Sequence, residues 1–461
     1  MLRTTLLQSI EEGNRLLGRE AEIRAELAKN QKSIVILDDD PTGTQTVYDV
    51  PVITEWTEEI LEKELLSSPV FFILTNSRSL HAEAADTLGQ LIGTRLHKLA
   101  AKHQKKLIVI SRSDSTLRGH YPNEVNALAT GLHLRNAKHL LIPAFFEGGR
   151  YTHNDIHYVK EGDKFIPAAE TPFAKDNTFG YESSNLREWI IEKSEGKVTP
   201  DHIASVSVQM LRQQAPEAIK TILEQPNTTH IVVNATSYND LQVIALVILQ
   251  NTGSFIFRTA ASFINAISGI ALRSCLSKNQ ILGKPTQNGA LVIVGSYVPK
   301  TTAQLEHVKK NCNAVFLELE VSNVLNPILF SKELASLVSQ IDRHIATGED
   351  VVLFTSRTVV KGSTKNESLE IVNRVSDALI AIIKQIENRP KYLVAKGGIT
   401  SSDVATKGLG VRRATILGQV LKGVPVWKLG KEAKFPGLPY IVFPGNVGDN
   451  NALLELITLL K

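Results

Sequence analysis

Short β-rich apolar runs that stop abruptly at polar residues recur along this chain, each followed by an amphipathic stretch. SIVILDDD, VFFILTNS, KLIVISRSD, HLLIPAFF, HIVVNATS and SFIFRTAA occupy the first half, with helical sequence such as EAADTLGQLIGTRLHKLAAKH between them. Continuous apolar runs of this length suit strands buried on both faces, and their alternation with helices predicts a doubly wound parallel sheet. The rhythm breaks at GGRYTHNDIHYVKEGDKFIPAAETPFAKDNTFGY, rich in Gly, Pro and aromatics, which reads as a hairpin-bearing excursion able to cover a site. It restarts after LSKNQILGKPTQNG (276–289), a polar linker, with ALVIVGSYV, AVFLELEV, DVVLFTS, YLVAKGG and YIVFPGN. At 461 residues the chain is too long for one ordinary core. Two α/β domains with mostly parallel sheets are expected, one over 31–280 and one over 281–461. Residues 1–30 form a helical extension before them.

Composition narrows the function classes. A formal charge of +4 is small for this length and the basic residues are scattered, so nothing points to nucleic acid. The only cysteines, Cys275 and Cys312, lie far apart in apolar contexts, which reads as buried thiols in a reducing compartment. LLQSIEEGNRLLGREAEIRAELAKNQK carries charges throughout and reads as an amphipathic helix without the apolar core of a signal peptide. No stretch is long and apolar enough to span a bilayer. A cytoplasmic protein without a membrane partner is expected.

Strand ends of an open α/β sheet converge on one edge, where ligands bind. Four in the first half end in polar clusters: Asp38 to Thr46, TNSRSL with Arg78, SRSDSTLRGH with Asp114 and Arg118, and PAFFEGGR with Arg150. Acids beside arginines suit a small, hydroxylated, anionic ligand, because guanidinium forks grip carboxylates and aspartates accept from hydroxyls. Taken singly, each cluster has a plainer reading. SDSTLRG can cap a helix and Arg78 and Arg118 can be surface ion pairs; recurrence at four strand ends favours a site. Asp38, Asp39 and Asp40 must repel one another, and the expected relief is hydrogen-bond donors from a ligand.

The second half differs. VGSYVPKTTAQ, KGGITSSDVATKGLG and FPGNVGD are junctions of strand with Gly, Ser and Thr, where exposed backbone amides can cradle phosphates. No G-x-x-x-x-G-K-[ST] is present and no G-x-G-x-x-G follows a strand.

In order, DDDPTG, SDSTLRG, GGR, GSYVPKTTAQ, KGGITSSD and PGNVGD resemble the four-carbon acid sugar kinase family over roughly residues 34 to 450. The resemblance implies a two-domain ATP-dependent kinase acting on threonate, erythronate or an oxo-tetronate. A substrate and nucleotide cleft would lie between a sugar-acid domain and an ATP domain. It assigns substrate positions to Asp39, Asp40, Arg78, Arg112, Ser113, Asp114 and Ser115, and nucleotide positions to Ser296, Gly397, Gly398, Ile399, Thr400 and Gly445. ATP and Mg²⁺ are the implied cofactors, without a dedicated protein metal site, and a homo-oligomer is compatible. Three departures mark a divergent branch: Arg112 replaces the usual lysine, the third loop lacks its second hydroxyl at Val298, and the first loop reads D-P-T-G-T-Q-T.

On this reading Asp114 is the base that receives the hydroxyl proton, while Arg78 and Arg112 hold the substrate carboxylate or the transferring phosphate. The opening aspartates grip sugar hydroxyls, ahead of binding Mg²⁺ through water. A rival reading takes ILDDDPTGT as the D-x-D-x-T loop of a haloacid-dehalogenase-type phosphatase, with Asp38 as nucleophile, Asp40 as acid/base, Lys396 as its lysine and Asp449 on the metal. A second rival is a non-catalytic sugar-acid or nucleotide sensor.

Overall fold

Each apolar run becomes a strand in the computed structural model, which describes residues 2–213, 216–283, 286–357, 360 and 365–461. Contacts divide the chain into two compact units, Met1–Leu272 and Arg273–Lys461. Of the 276–289 segment, 284 and 285 lie outside the described residues, and a short helix, Lys278–Leu282, forms before them.

In the first unit the strands are β1 (Lys32–Asp38), β2 (Val50–Ile53), β3 (Val70–Leu74), β4 (Lys106–Arg112), β5 (Lys138–Ile142), β6 (Arg150–His153), β7 (Ile156–Glu161), β8 (Lys164–Pro167), β9 (Ile203–Val206), β10 (His230–Val233) and β11 (Phe255–Thr259). Eight of them form a parallel sheet in the order β2-β3-β1-β4-β11-β5-β10-β9. Alternate residues serve opposite faces. Val35, Leu37, Phe71, Ile73 and Val109 pack with Leu61, Ile92, Leu96, Val125 and Leu128 of the helices on one side. Ile34, Ile36, Phe72 and Ile110 are equally buried on the other, where helix Glu20–Asn30 contacts β1 and helices Tyr238–Gln250 and Ala261–Ser268 pack together. The excursion is a separate antiparallel sheet, β6-β7-β8.

The N-terminal segment forms two helices, Leu2–Asn14 and Glu20–Asn30, where one was expected. Asn14 and Gly18, both poor helix formers, bracket the break. Both helices are tied to the first unit: Ser9 Oγ lies 2.9 Å from Thr236 Oγ1, and the Arg19 amide donates to Gln242 Oε1 at 2.8 Å.

In the second unit β12 (Leu291–Val294), β13 (Val315–Leu319), β14 (Val351–Thr355), β15 (Leu393–Lys396), β16 (Arg413–Leu421), β17 (Val424–Leu429) and β18 (Pro439–Phe443) follow the order β13-β14-β12-β15-β18-β17-β16. The first five in that order are parallel, and the β16-β17 hairpin joins β18 antiparallel. Val292, Val294, Val394, Ile441 and Phe443 pack with Leu305, Val308, Leu453 and Leu456. Both units are thus α/β domains built on mostly parallel sheets. No helix among the described residues is long and apolar enough to cross a membrane.

Candidate functional site

At the edge of the first sheet, β1, β3, β4 and β11 are neighbours, so the residues after them meet. The register sets Asp38 of β1 opposite Arg112 of β4, and the Arg112 Nη1 lies 3.1 Å from Asp38 Oδ1 and 3.7 Å from Asp39 Oδ1. From the β3 side Arg78 forks onto Asp39, Nε to Oδ2 at 3.0 Å and Nη2 to Oδ1 at 2.5 Å, and places Nη1 3.5 Å from Asp40 Oδ2. Ser113 Oγ adds a 2.5 Å hydrogen bond to Asp39 Oδ2. Asp40 caps the turn Pro41–Thr44 by accepting from the Thr42 amide at 2.8 Å and its hydroxyl at 2.5 Å.

Repulsion among the three aspartates is therefore relieved from within the protein by Arg78 and Arg112, correcting the expectation that ligand donors would do it. Those two guanidiniums are committed to carboxylates. Burial would raise the Asp39 carboxyl, but Arg78, Arg112 and Ser113 outweigh it and hold it below its usual range. Asp38 responds in the opposite sense. Burial pushes it up to about 7 against the pull of Arg112, with Asp39 and Asp40 adding to the rise. A Cβ on Gly43 would lie 2.1 Å from both Asp38 oxygens, so only glycine lets the first loop close over this carboxyl. Glu124, against Ser77 Oγ at 2.5 Å, is likewise raised to about 7, first by burial and then by Asp39.

The D-S-T-L-R-G loop follows β4. Asp114 Oδ2 accepts from Arg118 Nε at 2.8 Å and from the Thr116 hydroxyl. Arg118 also lies 3.6 Å from Asp176. Burial works to raise the Asp114 carboxyl, but Arg118, Arg78 and Thr116 drive it far below the ordinary carboxylate range, so it is ionised at neutral pH while its side chain stays 14 % exposed. Gly119 has φ +127°, and a Cβ there would stand 2.6 Å from Ser113 Oγ and 3.4 Å from Asp39 Oδ2. The glycine of the motif lets the loop return against the aspartates.

Several residues that sequence reasoning missed hold this loop by its backbone. Arg258 of β11, 2 % exposed, donates to the carbonyls of Asp114 at 3.1 Å and Arg118 at 2.9 Å. From the excursion, His157 Nε2 donates to the Ser115 carbonyl at 2.7 Å and the Tyr181 hydroxyl to that of Thr116 at 2.9 Å. A carbonyl only accepts, so His157 carries its proton on Nε2 and takes the Thr152 hydroxyl on Nδ1 at 2.9 Å. Burial, its largest influence, lowers this histidine to about 4 and keeps it neutral. Arg258 had left one signal: an arginine inside the apolar run SFIFRTAA, where a buried strand has no use for a charge.

In the second unit the ends of β12, β15 and β18 are adjacent. A Cβ on Gly445 would sit 3.1 Å from Ser296 Oγ; one on Gly397, at φ +121°, would sit 2.9 Å from Ser296 Cβ and 3.3 Å from Thr400 Oγ1. Ser296, Gly397, Thr400 and Gly445 thus come together. Helix Gly398–Asp403 starts among them with its leading amides lacking intrahelical acceptors, and Ile399, half exposed, can offer its backbone. Thr301 Oγ1 donates to the Gly445 carbonyl at 3.0 Å. Arg357, also missed, donates from Nη1 to the Ser296 carbonyl at 2.8 Å. Beneath the turn Lys396 is fully buried, its Nζ 2.9 Å from the Pro444 carbonyl and 3.9 Å from the Phe443 ring centroid. Burial, with Lys300 adding to it, lowers this amine to about 7.

Two family profiles match the chain: a sugar-binding N-terminal domain over 34–267 and a nucleotide-binding C-terminal domain over 291–453. Among solved structures, a Salmonella typhimurium LT2 protein provisionally named a tRNA synthase is similar at 17 % identity and TM-score 0.69, over 93 % of this chain and 98 % of that one. The Haemophilus influenzae protein HI1011 of the DUF1537 family is similar at 15 % identity and TM-score 0.64, over 93 % of this chain and 100 % of that one. At these identities the likeness is one of fold. No curated protein matches the sequence.

Proposed function

Because the chain belongs to the four-carbon acid sugar kinase family, we propose that it is a kinase transferring phosphate from ATP to a hydroxyl of a small acid sugar. The first unit would hold the sugar acid and the second the nucleotide. Phosphoryl transfer asks for positioning and charge neutralisation more than for covalent chemistry. ATP, when bound, supplies the phosphoryl group, with Mg²⁺ to neutralise its charge.

Asp114 carries the reading, as a partly open carboxylate kept ionised on a loop fixed by its own carbonyls. It would accept a hydrogen bond from the attacking hydroxyl and take the proton at Oδ1, the oxygen that Arg118 and Thr116 leave unengaged. A carboxylate this acidic receives the proton late, as the bond to phosphorus forms and the hydroxyl acidifies. Asp40, the most open of the three adjacent aspartates, would accept from a second sugar hydroxyl. Asp39, Arg78, Arg112, Ser113 and Ser115 would fix the frame around both.

In the second unit Ser296, the backbone of 397–400 and Gly445 would hold the phosphates, in the space that added Cβ atoms would fill. No group of three or more His, Cys, Asp or Glu among the described residues could cage a metal. Mg²⁺ is usually held through one or two carboxylates and the phosphates themselves. The position of Asp38 speaks against the phosphatase reading: a nucleophile must meet its substrate, and this carboxyl is fully buried under Gly43 and paired with Arg112.

The test is ATP consumption by the full chain with Mg²⁺ and a panel of four-carbon sugar acids, with products read by phosphorus NMR. ADP release that depends on one acid and yields its phosphate ester is expected. Phosphate release from sugar phosphates without ATP, or no turnover with any acid, would overturn the proposal.

A further inference from the structure

Five guanidiniums gather at the strand ends of the first unit, and four of them are held by carboxylates or carbonyls of the protein itself, although the Arg112 Nε, too, is buried without an acceptor. Arg78 is held by Asp39 and Asp40, Arg112 by Asp38 and Asp39, and Arg118 by Asp114 and Asp176. Arg258 is buried and donates to backbone carbonyls. Arg150 differs. It is half-buried and has no carboxylate within 4.0 Å among the described residues. Its Nη1 folds back onto the carbonyl of Gly148, and its Nε is out of water without any acceptor.

The surroundings are built to keep Arg150 in this posture. A Cβ on Gly148 would collide with Arg150 Nη1 at 2.8 Å and with the Phe145 ring at 2.4 Å, so the glycine makes room for the guanidinium. Gly149 takes φ +76°, and a Cβ there would lie 2.8 Å from Lys160 Cβ. Phe173 of the excursion lies against both Arg150 and Arg118, with the guanidinium carbons 5.8 Å and 5.2 Å from its centroid. At these distances the face of the ring attracts both cations. Arg118 in turn carries Asp114 at 2.8 Å, so the unpaired cation and the candidate base are joined through one arginine and one ring.

We propose that Arg150, beside Phe173, receives the carboxylate of the acid sugar. This rests on the kinase reading above and changes one part of it: Arg78 and Arg112 hold the aspartates rather than the ligand. The carboxylate meets Nη2, the guanidinium nitrogen that neither the Gly148 carbonyl nor burial closes off, in a charge-assisted hydrogen bond. Asp114 then faces a hydroxyl of the same molecule. Neutral sugars of the same length lack the group that meets this charge and are discriminated against.

The experiment separates this inference from the kinase reading by measuring binding without nucleotide. Threonate and erythronate are titrated calorimetrically into the full-length wild type, Arg150→Gln and Arg150→Lys, with threitol and erythritol as neutral controls; ATP affinity and melting temperature serve as checks of folding. The expectation is that the wild type binds an acid in preference to its tetritol. Arg150→Gln should lose about tenfold to a hundredfold in acid affinity while ATP affinity stays unchanged. Arg150→Lys should recover part of the loss, because an ammonium keeps the charge but not the fork, and it carries the test if the glutamine variant is unstable. In turnover the loss should appear in KM more than in kcat. Acid affinity within threefold of wild type in both variants, or no acid binding by the wild type, would overturn the inference. Failure of the kinase reading alone would leave acid binding and its dependence on Arg150 intact while ATP-dependent phosphorylation is absent.

Discussion

In the first unit the strand-end residues are charges in contact: Asp38, Asp39, Asp40 and Asp114 against Arg78, Arg112 and Arg118. In the second they are glycines, hydroxyls and backbone, with Arg357 turned onto carbonyls and Lys396 buried under the turn. Both are edges of parallel sheets, so topology alone does not choose between them. On the kinase reading proposed above, the chemistry of the ligand does. Hydroxyls and a carboxylate are read by side chains at fixed angles, whereas phosphate is met by many weak donors and a close main chain. An engineer moving specificity would therefore change side chains in the first unit and leave glycines alone in the second.

The sharpest way to break this contrast is to strike one edge and watch the other. Asp114→Asn should cut turnover by about a hundredfold or more, the scale of losing a general base, with ATP affinity near wild type. If turnover survives, or ATP affinity falls alongside it, the division of labour is wrong. Gly445→Val is the reciprocal blow. Its side chain enters where a Cβ already approaches Ser296 Oγ at 3.1 Å, so ATP affinity should drop about tenfold or more while sugar-acid binding to the full chain is unaltered. Calorimetry with each ligand on each variant checks both.

The smallest expected effect is on stability against pH, and it should carry opposite signs in the two units. Asp38 and Glu124 have usual values of 3.8 and 4.5 and are raised to about 7 by burial. Between those limits the folded state binds the extra protons, so the first unit loses stability as pH rises from about 4 to about 7. Lys396 falls from 10.5 to about 7 on burial. There the unfolded state holds the extra proton, so the second unit gains stability as pH rises from about 7 to 10.5. Hydrogen exchange read on β1 and β15 peptides across pH 5 to 10, corrected for intrinsic exchange rates, should show the two trends. Lys396→Met should flatten the second and leave the first; equal slopes in both units would sink the assignment.

Much of this architecture was legible in the chain. Runs such as SIVILDDD and YLVAKGG announced parallel strands, because only burial on both faces tolerates such uninterrupted apolar sequence. The β16-β17 hairpin was missed although β16 alternates half-buried and buried residues along its length; its glycine-containing sequence reads as loop when taken by composition. β9 was missed because Ser205 and Ala204 dilute its apolar character. At the site, the residue types were readable but their pairing was not. That Asp38 faces Arg112 is a fact of sheet register, and that His157 and Tyr181 reach the D-S-T loop is a fact of how the excursion folds back.

Arg258, His157 and Tyr181 all seize main-chain carbonyls, those of Asp114, Ser115, Thr116 and Arg118. A carbonyl is the same whatever residue carries it, so these clamps are indifferent to the side chains they steady. The loop can therefore exchange its outward groups, one substitution at a time, without surrendering its path. Descendants of this sequence have room to trade one ligand for another on an unchanged trellis, provided the glycine at 119 is kept.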